Sequence, residues 1–186
     1  MTGQISDSFL YEGEVYSLVG YDKGEPFTPL DYDILPKAPH TACWRGFVLY
    51  YKLDNKTLLL QDMQLNADEA KEINGVKPKK TEESIKFHYQ DLNLKLDYTG
   101  KLLIARDFIK EMYVHMGFQR ASSYRKVVEL KFKNGELVET NDLSEKMKKR
   151  RKEDSDEDAI PKSMGEGDLM EWIKRTFSRK YKKEEE

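Results

Sequence analysis

Cysteine is nearly missing: the chain has one, Cys43, in 186 residues. An internal disulfide and a cysteine-rich zinc site are therefore excluded, and a reducing, cytoplasmic setting is expected. No run of ~18 apolar residues occurs, so no helix is expected to cross a membrane. The opening MTGQISDSFLYEGE lacks the basic start and apolar core of a signal peptide. Glycine cradles are missing too: there is no P-loop and no G-x-G-x-x-G. Nor is there a G-x-S-x-G elbow for a nucleophilic serine. The three histidines, His40, His88 and His115, share no metal-ligand spacing. Asp31 and Asp33 begin like a calcium loop, but the later ligands do not follow. No cofactor or metal is expected.

Charge is what the chain has in excess, at 35% Asp, Glu, Lys and Arg against 38% hydrophobic residues. It is unevenly spread. Residues 1–144 carry 19 Lys and Arg against 22 Asp and Glu, whereas the 42 residues of 145–186 carry 13 against 12. Most aromatics lie before residue 145. The reading is a globular domain over 1–144, a charged and disordered linker over 145–162, and a basic amphipathic helix over 163–186. Neither part has a net charge that favours nucleic acid.

The domain reads as mainly β, an antiparallel sandwich or partly open barrel of about eight strands. Phe9–Tyr11 and Val15–Tyr21 flank a turn at Glu12-Gly13-Glu14. Four of the six prolines fall in 22–40, which marks an irregular crossing. A run over 41–53 is apolar on both faces, so it is expected to be central and covered twice. Asp54-Asn55-Lys56 turns it into 57–65. A helical turn is expected over 68–73, short strands within 84–96, a strand over 102–109, and over 113–118 a further strand or the end of one long bent strand. Asn134-Gly135 between Val127–Phe132 and Leu137–Thr140 is the strongest hairpin signal.

Three segments, CWRGF at 43–47, YEGEVYSLVG at 11–20 and ARDFIKEMYVHMGFQ at 105–119, resemble signatures of an uncharacterised bacterial protein family. The resemblance covers roughly 7–143. It implies a self-contained domain and carries no activity, cofactor or site.

Among candidate functional residues, Arg45 stands on a face that otherwise reads as buried. A buried guanidinium needs a carboxylate, and Asp62 and Asp107 are the candidates. It serves either in a structural ion pair or as an anion-binding group in a pocket. Arg106 and Asp107 would point to opposite faces, so at least one is expected inside. Tyr113, His115 and Gln119 add polar groups to what reads as one face. Cys43 reads as a small buried hydrophobe.

In the tail, KMKKRRK at 146–152 is followed by EDSDED at 153–158, and each block neutralises the other within a Debye length. Ser155 stands in an acidic context. Leu169, Trp172, Ile173, Phe177 and Tyr181 form an apolar stripe at helical spacing, with Lys and Arg crowding the later turns. Such a helix must lie on something: its own domain, a protein partner or second copy, or an anionic membrane surface.

The first reading of function is a non-enzymatic protein-binding module, of which an immunity- or antitoxin-like inhibitor is one form. The alternative is a small anionic-ligand-binding protein, or an unrecognised enzyme, with a pocket around Arg45, Arg106, Asp107 and His115.

Overall fold

Three tight turns frame the domain. Glu12-Gly13, Asn55-Lys56 and Asn134-Gly135 all take positive φ at both central residues. That twist matches the right-handed twist of paired strands. They join β1 (Ser8–Tyr11) to β2 (Glu14–Tyr21), β3 (Phe47–Asp54) to β4 (Thr57–Leu65), and, further along the chain, Tyr124–Lys133 to Glu136–Asp142. Between them come β5 (Lys79–Lys80), β6 (Phe87–Tyr89), β7 (Leu94–Lys95) and β8 (Gly100–Phe108). The last hairpin is then β9 and β10. This computed structural model describes residues 2–153 and 166–181.

The strand order β10-β9-β8-β2-β1-β3-β4 bends round until Glu136 of β10 pairs with Thr57 of β4. Leu58 donates its amide to the Gly135 carbonyl at 2.8 Å, and Leu137 donates to Lys56 at 2.8 Å. The expected mainly β fold is thus a partly open barrel. It is mixed rather than purely antiparallel, since β1 and β3 run side by side in the same direction. The proline-rich crossing explains this: it returns the chain to the start of the barrel, as a parallel pair requires.

Alternation sorts the side chains. Phe9, Leu18, Leu49, Leu60, Ile104 and Leu130 are fully buried inside. β3 is covered twice, as its two apolar faces demand, with Val48 packed outside against Cys43 and Ile85. Three expectations fail locally. Residues 41–46 are turns rather than strand, so the run read as one strand over 41–53 is paired only from Phe47. Residues 68–73 form no helical turn, because Asn74-Gly75 ties Ile73 back to Val76 as a bridge. Residues 113–118 form no strand. The Gln119 side chain instead bonds both the amide and the carbonyl of Val114, at 3.0 and 2.8 Å. That satisfies the loop without a neighbouring strand.

Two helices follow the barrel. The first half of the expected linker is helical: α1 spans Ser144–Glu153. The Ser144 hydroxyl accepts from the Val127 amide at 3.1 Å, and Met147 is buried against the barrel. Arg151 donates to the carbonyls of Ser122 and Tyr124. The remainder of the expected linker, with Ser155, lies outside the described residues. The second helix, α2, spans Glu166–Thr176. Among the described residues no helix is long and apolar enough to cross a membrane.

Candidate functional site

Arg45 does have carboxylate partners, but not Asp62 or Asp107. Its Nη2 donates to Asp7 Oδ1 at 2.7 Å and its Nη1 to Glu25 Oε1 at 3.1 Å. A second guanidinium, from Arg179, completes the group. Arg179 donates to Asp7 Oδ2 at 2.7 Å and to Glu25 Oε1 at 2.8 Å. Its side chain is 1% exposed and that of Asp7 is 0%. The Leu49 amide also donates to Asp7 Oδ1, at 2.8 Å. Both cations lie over the Phe118 ring, at 5.5 Å for Arg45 and 4.6 Å for Arg179.

Burial alone would raise the Asp7 pKa. The Arg179 and Arg45 guanidiniums beside it more than offset that and hold it below the usual aspartate value. Burial likewise works against the Arg179 charge, and the two carboxylates more than restore it. The quartet is two carboxylates and two guanidiniums, closed on itself.

Arg179 arrives on a strap made of α2 and residues 177–181 that follow it. The helical stripe runs only to Phe177, because α2 ends at Thr176 and the chain continues extended. Tyr21 donates its amide to Arg179 O at 2.9 Å, and Tyr181 donates its amide to Tyr21 O at 3.0 Å. So Tyr181 joins the sheet rather than the helix. Its hydroxyl donates to Glu129 at 2.9 Å, and Phe177 stacks on Trp44 with ring centroids 4.7 Å apart. The Phe118 amide donates to Thr176 O at 3.2 Å. This seat needs Gly117, at φ +76, where a Cβ would lie 2.1 Å from that same oxygen. Leu169, Trp172, Ile173, Phe177 and Tyr181, read from the sequence as a partner surface, are all half-buried on this chain.

Between strap, α1, barrel and the 113–122 loop lies a cleft of about 1130 Å³. Its floor is the outer face of the barrel, Val19 and Leu103, with Leu143 and Met147 beside it. Trp172, Thr176 and Tyr181 form one wall. Seven Lys and Arg line it against three Asp and Glu. Each of those three acids is matched by a lysine: Glu129 by Lys101 at 2.8 Å, Glu139 by Lys131 at 3.2 Å, and Asp142 by Lys126. Burial pushes the Glu129 carboxyl up, but Lys101 and Tyr181 more than reverse this. Arg120, Lys146, Arg150, Arg175 and Lys180 are the other basic residues of the lining, beside Lys101 and the Arg179 of the quartet.

The sequence-predicted pocket is not assembled. Arg45 belongs to the quartet. Arg106 and Asp107 both lie outside the core, and Arg106 pairs with Glu14 at 2.9 Å. His115 is exposed, 5.0 Å from the Tyr113 ring, and is the one of the four that reaches the cleft. Asp7, Glu25, Glu129 and Arg179 were missed. Asp7 and Glu25 are 38 and 20 residues from Arg45, and Arg179 stands in a basic run that reads as solvated. Cys43 is buried, which raises its thiol pKa, and its Sγ faces Phe47 O at 3.7 Å. Among the described residues no three His, Cys, Asp or Glu gather as a metal-ligand set.

Comparison with protein-family models, with curated proteins and with solved structures gave no match.

Proposed function

We propose that the chain is a non-enzymatic binding module whose cleft takes an anionic ligand with an apolar body. The observation that supports this is an apolar floor, Val19, Leu103, Leu143 and Met147, bordered by more Lys and Arg than Asp and Glu. An apolar floor with a few placed charges is how small-ligand sites hold and orient their occupants. The volume, about 1130 Å³, suits a ligand of drug size or a little larger. A protein partner or an anionic membrane reaching for the Trp172 and Phe177 stripe would compete with the stripe's own seat on the barrel.

The test is a titration of the full chain with decyl phosphate below its micelle concentration, followed by the fluorescence of Trp44 and Trp172 together. Decyl glucoside is the uncharged control. The anion should bind, more weakly as salt rises, and the glucoside should bind less well. Lys146→Ala with Arg150→Ala should weaken the anion alone. Equal binding of both amphiphiles, or none, would overturn the reading.

A further inference from the structure

We propose that the strap is a latch on this cleft, and that Glu25 and Trp44, which do not line it, are positioning residues for ligand binding. The inference rests on the cleft reading above. The strap supplies a wall of the cleft and two of the basic residues that line it outside the quartet, Arg175 and Lys180. Released, it would leave Val19 and Leu103 facing solvent and the site without one side. Yet much of what fastens it lies elsewhere: Arg179 between Asp7 and Glu25, Phe177 on Trp44, and the backbone pairing with Tyr21.

The fastening is divided so that release is costly without being ruinous. The two oxygens of Asp7 have separate donors. Oδ1 takes Arg45 and the Leu49 amide; Oδ2 takes Arg179. Losing the strap uncovers one oxygen only, and Arg45 stays to balance the charge. Glu25, with its side chain 22% exposed, already reaches solvent. Trp44 is 51% exposed and sits on a turn, so the barrel does not need its stacking partner. The docked and released states are therefore two arrangements of one fold. A ligand touching both walls favours the docked one, and its apparent affinity is scaled by the docked fraction.

Trp44→Ala with Glu25→Gln loosens the strap and alters no lining residue. It also leaves Trp172 as the lone tryptophan reporting on the cleft. Decyl phosphate should bind this variant about tenfold more weakly than the parent chain, with the circular dichroism of the barrel unchanged. Tight binding by the parent with the same affinity in the variant would overturn the latch and leave the cleft reading standing. No binding by the parent would overturn both. Trypsin gives a second measure on the parent chain alone. Cleavage after Arg179, whose side chain is 1% exposed in the docked strap, requires release, so saturating decyl phosphate should slow it severalfold. A cleavage rate indifferent to bound ligand would also overturn the latch.

Discussion

Asp7 is a carboxylate with no contact to water, held by two guanidiniums and one amide. Breaking such a group by removing one member costs roughly 3–5 kcal/mol, because the rest stay buried and uncompensated. Asp7→Asn should reach that range in denaturant unfolding. Arg45→Ala should cost less, since Arg179 remains on Asp7 and the Arg45 side chain is already 18% exposed. The pH dependence follows from the lowered Asp7 pKa. A carboxyl with a depressed folded value contributes stability that is fully present above its unfolded value, here the ordinary 3.8. That contribution is lost as pH falls below 3.8 through the folded value. Melting temperature should drop more steeply in that acid range for the parent than for Asp7→Asn. The need for a partner was legible at Arg45, from one cation in an apolar run. The partner's identity was not, because nothing in local spacing reports which distant acid the barrel brings near.

The strap is the element on which sequence and structure differ most usefully. Its stripe was readable from the spacing of Leu169, Trp172, Ile173 and Phe177. Its seat was not, since any apolar surface would serve that pattern equally. Tyr181 fits a continued helix by spacing alone and leaves it because Tyr21 offers open backbone partners. Two variants separate seat from stripe. Trp172→Glu with Phe177→Glu should lower the melting temperature of the whole chain, as a helix docked on its own domain requires. Gly117→Ala should do the same from the barrel side. It combines a strained φ with a Cβ 2.1 Å from Thr176 O, and proteolysis should then reach the strap sooner. A melt indifferent to either change would deny the seat. The hairpins, in contrast, were legible because their turns carry the conformational demand in two adjacent residues.

At the scale of the molecule, barrel and strap share the quartet, yet the strap can leave it while the barrel stays closed. Trp44 and Trp172 fluorescence should therefore change at lower denaturant than the far-ultraviolet circular dichroism of the barrel. A piece ending at residue 144 should still collapse around Phe9, Leu49, Leu60 and Leu130, with Arg45 on Asp7. It should melt well below the full chain, lacking Met147 of α1 as well as Arg179. The mixed topology was hidden from the sequence for a related reason. The prolines of 22–40 announced a crossing, but which strand it would reach is settled only when β3 finds β1.

Arg179 meets Asp7 across 172 positions of sequence, almost the whole span of the polypeptide. During synthesis the chain emerges from the ribosome with its N-terminal end first. At roughly 5–20 residues per second, Asp7 waits on the order of ten to thirty seconds for its second cation. Once Asp142 has been made every strand is present, and the barrel can close with one carboxylate oxygen still unmatched. A stretch translated after every strand then completes the charge balance of one translated before nearly all of them. The closing step of folding thus waits on a segment made after the barrel.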